Sequence, residues 1–428
     1  MSVTLLRSLK ADSPARSAAW PLGLSEGVPR PGDFAVFDTP PDTRRVDIYE
    51  AHAVFDLVEE LEFLGARAIE ANVFFTPRFL APAMPRLDER RVRLMVARDE
   101  NSQRSRLRFL MPFSVERLGA PSRMTAVRAW THPFGPLGSL PLDGDAPDRT
   151  AAGLLDALRE PGHALPRLLV LPDLPVSGRL ADVLLRAAEG AGLAHAWTDR
   201  RARAFLDAET GDPGDVLRRH LGAKGRRDHA RRLRRLQAMG AVRFEVAADP
   251  EPVRAALEDF LHLEASGWKG RRRSALLIDR HRAAFAREAV NGLSEAGMVR
   301  IYTLRLDTRA VASLVVLHSG GHAVAWKTAF DEAYRSCRPG ALVAALATEA
   351  LLADPVIRSV DSCTVPDHGV MNLLWPGRRE VGTLVIGLEP GMDGAVADGA
   401  RAIEDGRHRA NRRRIWRERL ARLWPRRS

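Results

Sequence analysis

"AWKTAFDEAYRSCRPGALVAALATEALLADP", residues 325–355, passes from a strand-like apolar stretch, through a polar turn ending Cys-Arg-Pro-Gly, into a long Ala/Leu helix. Proline and glycine at the head of that helix leave several first-turn amides without intrahelical partners, in a backbone able to approach a ligand closely. Helix dipole and free amides together favour an anion there. Arg335 and Arg338 flank the mouth and can add charge-assisted contacts to phosphate. Arg335, Arg338, Pro339, Gly340 and Ala341 are therefore the candidate cofactor-binding residues. A plain helix start, with proline at its favoured first-turn position, is the other reading of the same five residues.

Working outward, three apolar runs, "MVRIYTLRL", "AVASLVVLHS" and "HAVAWKTAF", are joined by the short turns Asp-Thr-Arg and Gly-Gly, which predicts an antiparallel meander ending at the quoted stretch. Before it, "DVLRRHLGAKGRRDHARRLRRLQAMGAVRFEV" reads as an Arg-rich helix stopped at Gly240 and followed by a strand. Helices are expected in "PVRAALEDFLHLEASGW" and "RHRAAFAREAVNGLSEAG", and "IRSVDSC", "MNLLW" and "GTLVIGL" complete this half. The first half opens with "VDIYEA" as a strand and "FDLVEELEFLGARA" as a helix, and continues through further short strands and helices to about residue 212. The expected organisation is a loose leader at 1–45, an α/β domain at 46–212, a second at 215–390, and a basic tail at 391–428.

At 428 residues, 45% hydrophobic and 28% charged, the chain has the composition of an ordinary globular protein of two or three domains. No apolar run approaches the roughly 20 residues needed to cross a bilayer, and the first residues lack the apolar core of a secretory signal. The two cysteines, Cys337 and Cys363, form neither a metal-ligand spacing nor a disulfide framework, which suits a reducing cytoplasm. No metal cofactor is expected. Most of the net charge of +11 lies in residues 401–428, where eleven arginines face three acids, so the charge is not a general nucleic-acid footprint. Only four lysines occur, at 10, 224, 269 and 327, and in so Arg-biased a chain they stand out.

The order of meander, phosphate-type turn, helix and strand resembles the core of the GNAT acyltransferase superfamily. More closely, "RRDHARRLRRLQAMG", "FLHLEASGWKGRRRSAL", "AWKTAFDEAYRSCRPGALV" and "VDSCTVPDHGVMNLLWPGR" resemble the CelD-type acetyltransferases of cellulose biosynthesis, related to the FemAB aminoacyl transferases. "NVFFTPRFLAPAM" resembles a segment of the same branch in the first half. The resemblance implies an α/β chain of tandem GNAT-like folds, with mixed central sheets flanked by helices and acetyl-CoA or another acyl-CoA held at the turn of the second. One departure is that Arg338 occupies the first glycine position of the superfamily's pyrophosphate loop, which keeps an aminoacyl-tRNA donor open.

Acyl transfer needs a held thioester, a base for the nucleophile and an acid for the leaving thiolate. Asp361, after "IRSV", and His368 in the following loop are the first candidates for base or substrate holder, with Tyr334 as the acid. Asp331, Lys327, Lys269, Trp268 and Trp375 are the candidate substrate contacts; Lys327 alternates with small residues in its strand, which leaves room for a ligand. For each of these the plain alternative is a capping, core or turn role. The expected activity is transfer of an acyl group from acyl-CoA to an amino or hydroxyl group of a small-molecule or saccharide acceptor, on a cell-envelope or exopolysaccharide precursor. A FemAB-like transfer from aminoacyl-tRNA and a non-enzymatic basic module binding nucleic acid or anionic lipid are the alternatives. In "RRRIWRERLARLW", Ile415, Trp416, Leu420, Leu423 and Trp424 gather on one helical face among arginines, the pattern of a helix lying on an anionic membrane. A cytoplasmic protein, peripheral at the inner face of the membrane, is the expected location.

Overall fold

The computed structural model describes residues 33–39, 42–101, 105–119, 124–208 and 213–423. The chain is mixed α/β and divides into two compact units that interleave in sequence. The flanking unit takes Gly32–Thr210, His318–Val324 and Pro355–Ser428; the central unit takes Gly211–Leu317 and Ala325–Asp354.

The flanking unit begins with strands β1 (Asp33–Thr39) and β2 (Asp42–Glu50), helices α1 (Val58–Arg67) and α2 (Pro77–Leu87), and strands β3 (Arg93–Glu100), β4 (Ser105–Arg117) and β5 (Thr125–Ala129). Helix α3 (Pro147–Arg159), β6 (Leu168–Pro175), α4 (Arg179–Gly190) and β7 (His195–Asp207) follow. The leader expected through residue 45 is corrected here: β1 pairs antiparallel with β2, and β2 with β3, so order begins no later than Asp33. The contiguous apolar run Phe34, Ala35, Val36, Phe37 carries the strand signal that the surrounding prolines obscured. Residues 1–32 lie outside the described residues.

The central unit contains α5 (Pro213–Gln237), β8 (Val242–Ala247), α6 (Pro250–Ser266), the short α7 (Trp268–Arg271) and α8 (Arg280–Glu295). Then come the expected meander strands β9 (Val299–Leu306), β10 (Arg309–Ser319) and β11 (His322–Phe330), and helix α9 (Pro339–Ala353). β8 pairs antiparallel with β9, and β9 with β10 across a bulge at Ala310/Ala312. Helix α9 buries Leu342, Val343, Ala344, Ala345, Ala347, Thr348 and Leu351; an apolar surface on nearly every side makes it a core helix.

After α9 the chain returns to the flanking unit with β12 (Ser359–Asp361), α10 (Met371–Leu374), β13 (Gly377–Gly387) and α11 (Asp393–Leu423). β13 lies between β6 and β7, antiparallel to both, and β12 pairs antiparallel with β7 and parallel with His322–Val324 of β11. The expected second domain at 215–390 is corrected by this topology. Its last strands complete the flanking unit's sheet, and "GTLVIGL" is a continuous apolar run because it is buried in the middle of that sheet.

The first part of α11 is core as well. Val396 packs with Leu118, Ala126, Leu168, Val170 and Val385, the Thr198 hydroxyl donates to the Ala400 carbonyl at 3.1 Å, and Arg407 pairs with Asp199. Trp416 is 67% exposed; Ile415, Leu420, Leu423 and Trp424 lie outside the described side chains. Among the described residues no helix is long and apolar enough to cross a membrane.

Candidate functional site

The polar turn is a short 3-10 helix, Glu332–Cys337, capped by Asp331, whose Oδ1 accepts the Ala333 amide at 2.9 Å. Oδ2 of the same carboxylate pairs with Arg309 at 2.8 Å, and the Asp331 amide donates to Val311 O. Asp331 is thus committed to holding the turn against β10, which corrects its reading as a substrate contact; an Asp at this place is a cap. Tyr334 is half-buried inside the turn.

Arg335 and Arg338 are exposed, and Arg338, the residue before Pro339, sits in the left-handed region with φ 48 and ψ 57. A non-glycine residue there carries a steric cost of about 1–2 kcal/mol. The Arg338 carbonyl accepts the amides of Ala341 at 2.9 Å and Leu342 at 3.2 Å, so fewer donors face outward than the sequence implies. Proline has no amide, and the Gly340 amide has no partner among the described residues. A Cβ on Gly340 would stand 3.1 Å from Phe330 Cδ1, so the glycine also lets the helix start rest on the end of β11.

The Arg-rich stretch of α5 supplies a further cation. Arg232 pairs with Asp228, and its guanidinium is lowered first by burial and then by the charge of Arg338 nearby. Arg338 in turn helps, after Arg231 and Arg232, to hold the Asp228 carboxyl below the usual carboxylate range. The candidate anion site therefore gathers Arg335, Arg338 and the Gly340 amide, with Arg232 of the Arg-rich helix close enough to feel the charge of Arg338.

A second cluster is buried between α6, α7 and β11. The Glu264 side chain is 0% exposed; Oε1 accepts Lys269 Nζ at 3.0 Å and lies 3.5 Å from Lys327 Nζ, while Oε2 accepts the Leu276 amide at 2.8 Å. Burial works against the Glu264 charge, yet Lys327 and then Lys269 hold its carboxyl below the usual range. Lys269 is also fixed by the Thr328 carbonyl at 2.8 Å. Lys327 is 13% exposed, and burial pushes its pKa down to about 8 against the pull of Glu264, with Lys269 and Arg282 adding to the downward push. Glu264 was not among the sequence candidates. Its signal was position: with Val253, Leu257 and Phe260 it completes the buried stripe of α6, where a carboxylate needs buried partners.

Helix α7 ties the two clusters together within the central unit. Lys269 belongs to the lysine pair, while the Trp268 amide donates to Glu332 in the turn at 3.2 Å and Arg271 pairs with the same carboxylate. The Trp268 ring, 40% exposed, lies under Arg272, whose guanidinium carbon is 5.1 Å from the ring centre.

Asp361, His368 and Trp375 belong to the flanking unit. Asp361, 1% exposed, is bound by Arg203 at 2.6 and 2.8 Å, by Arg379 at 3.5 Å and by the Cys363 amide at 2.9 Å. The carboxylate is thereby held between Arg203, Arg379 and the amide of Cys363. His368 is half-buried; its Nδ1 accepts the Met371 amide at 3.2 Å at the head of α10, and burial lowers its pKa. Trp375 is fully buried, a core residue rather than a stacking platform. Among the described residues no group of three His, Cys, Asp or Glu side chains could hold a metal ion.

No curated protein matches the chain. Among solved structures it is similar to the C-terminal domain (DUF2156) described as that of a lysylphosphatidylglycerol synthetase from Agrobacterium fabrum, at 12% identity and TM-score 0.49, covering 82% of this chain and 96% of that one. FemX is similar at 10% identity and TM-score 0.49, over 78% of this chain and 96% of that one. A tandem GNAT protein from the clavulanic acid pathway is similar at 14% identity and TM-score 0.39, over 81% and 99%. Residues 223–368, a span that takes in Glu264, Lys269, Lys327 and the whole turn, match the family model described as an acetyltransferase (GNAT) domain.

Proposed function

We propose that the protein is an acyltransferase of the CelD-type branch, moving an acetyl or other acyl group from acyl-CoA to an acceptor on a cell-envelope or exopolysaccharide precursor. The observation that carries this reading is the head of α9, where Arg335, Arg338 and a free Gly340 amide surround a helix N-terminus inside the matched span. The residues fit a pyrophosphate: two exposed guanidinium groups and one amide suit diphosphate chemistry, and an arginine occupies position 338 despite a backbone that suits glycine. A CoA thioester held there supplies the activated acyl group. In this reading Trp268, Lys269 and Lys327 are the acceptor contacts, and α7 joins the first two to the turn.

Calorimetry with acetyl-CoA tests the reading through Arg335→Ala combined with Arg338→Gly, the second change also relieving the left-handed backbone. Loss of two charge-assisted contacts should weaken binding by about tenfold or more. Unchanged affinity in a folded double variant would sink the assignment, and tight binding of aminoacyl-tRNA with none of acetyl-CoA would transfer it to FemAB-like chemistry.

The proposal includes contact between the last turns of α11 and an anionic membrane. Because α11 up to Arg407 is tied into the flanking unit, the informative truncation is after Asn411. Salt-sensitive co-sedimentation with anionic vesicles, lost on that truncation, is expected; equal binding of the two chains would remove the membrane from the proposal.

A further inference from the structure

Helix α5 carries a row of charge that the head of α9 does not use. At 3.6 residues per turn, Lys224, Arg227, Arg231, Arg234 and Arg235 fall within an arc of about 100° and run about 16 Å along the helix, on the side opposite the buried pair Leu233 and Leu236. All five are exposed. Arg231 pairs with Asp228 at 2.7 Å, whereas Lys224, Arg227, Arg234 and Arg235 make no ion pair or side-chain hydrogen bond among the described residues. Like charges three and four residues apart weaken the helix that bears them, so the row loosens α5 without bracing anything in the fold. The charge is also concentrated: residues 224–235 hold seven cations and one acid, while the rest of Gly211–Leu317 and Ala325–Asp354 holds 17 cations and 16 acids. The row adjoins the candidate anion site. α5 packs against both the turn and α9, and the charge of Arg338 acts on Asp228 and Arg232, beside the middle of the row. At the α9 head, Arg335, Arg338 and the Gly340 amide can seat a single phosphodiester as readily as a diphosphate. Free CoA adds only one phosphate group beyond its diphosphate, too little charge for a row of five.

We propose that the α5 row docks an acidic carrier protein, which presents the acyl group as a thioester on a phosphopantetheine arm whose phosphodiester sits at the head of α9. The proposal rests on the acyl-transfer reading above and names what carries the donor. In the transfer, the acceptor's amino or hydroxyl group bonds to the acyl carbon as the C–S bond breaks. The acceptor's proton passes to the departing sulfur, and the arm leaves as a thiol on its carrier. A straight row matches one acidic helix laid alongside α5, and complementary charge of this kind speeds and orients the encounter of a partner that must arrive loaded and leave empty. Nucleic acid fits less well: its backbone asks for cations spread over a surface, and residues 213–237 include no Phe, Trp or Tyr on which a base could stack. An anionic membrane fits less well too, because the one exposed large apolar side chain of residues 221–240, Met239, lies beyond the end of the row.

Calorimetry on the full chain tests this, with the acetylated acyl carrier protein of fatty-acid synthesis as the probe and acetyl-CoA beside it. The acetylated carrier should bind, and added salt should weaken that binding. Reversing three members of the row in Arg227→Glu/Arg234→Glu/Arg235→Glu should weaken the carrier about 100-fold or more, while acetyl-CoA affinity falls about fivefold at most. The milder Arg227→Gln/Arg234→Gln/Arg235→Gln should cost the carrier about tenfold and keeps the test decisive if the reversed chain fails to fold. A carrier lacking its arm should respond to the row variants and not to Arg335→Ala/Arg338→Gly, which separates the docking row from the phosphate seat. Equal carrier affinity in the natural chain and a folded row variant overturns the proposal, as does binding of acetyl-CoA with none of the carrier, which leaves the acyl-CoA reading standing. Transfer RNA or anionic vesicles bound more tightly than the carrier, with that binding lost on reversal, would also overturn it and assign the row to that partner. Binding of neither acetyl-CoA nor the acetylated carrier would remove the proposal and the acyl-transfer reading together.

Discussion

Two buried carboxylates, Asp361 in the flanking unit and Glu264 in the central unit, are held by matching sets of partners. Each binds two cations, one closely and one at 3.5 Å, and each accepts one backbone amide. The cations differ. Asp361 is held by Arg203 and Arg379, whose guanidinium groups stay protonated at any pH a protein survives. Glu264 is held by lysines, and a buried lysine can release its proton when its surroundings penalise the charge. The arginine version braces neighbouring strands, whereas in the lysine version burial pushes the pKa of Lys327 down to about 8. Burial and charge count alone do not distinguish them.

The sharpest way to break this contrast is Asp361→Asn. Removing the carboxylate strands the buried Arg203 charge, which cannot neutralise itself, so a loss of about 3–5 kcal/mol is expected in denaturant unfolding. Glu264→Gln removes the same kind of group but leaves a lysine able to shed its proton. Its cost should be smaller, about 1–3 kcal/mol at pH 7, and smaller again at pH 9. Equal costs in the two variants would show that both sites are struts.

Lys327→Met should act in the opposite direction. With its pKa lowered from 10.5 to about 8, Lys327 binds fewer protons folded than unfolded between those values, so the stability of the natural chain rises with pH across that window. The burden of the charge is full below pH 8 and gone above 10.5. Methionine should therefore raise stability at pH 7 by an amount on the order of 3 kcal/mol at most, with the gain vanishing near pH 10.5. Thermal unfolding of both chains across pH 6–11 checks the sign and the window.

Local patterns made part of this site legible. The apolar runs and short turns of the meander lie next to one another in sequence, and the rarity of lysine drew attention to Lys269 and Lys327. Asp361 was read from its place at the end of a strand, while its partner Arg203 lies 158 residues earlier with nothing local to announce the pairing. Glu264 was hidden by the opposite effect. A charge in a helix reads as solvent-facing unless its register is checked, and the register of Val253, Leu257 and Phe260 places it inside. The interleaving of the two units was illegible for the same reason as the Asp361 pairing: β13 finds β6 and β7 through contacts that no window of neighbouring residues contains.

That position of β13 has a consequence for how the protein is made. Strands β6 and β7 leave the ribosome with the edges that β13 will occupy still open, and about 170 residues, including the whole central unit, must be synthesised before Gly377 appears. At about 5–20 residues per second, the two edges that β13 will cover stay unpaired for on the order of ten seconds or more. During that interval those edges are templates for the wrong strand, in the same chain or another. The flanking unit's sheet closes only after the central unit's strands have been made, so its maturation is timed by the translation of its neighbour and open to the attention of chaperones throughout.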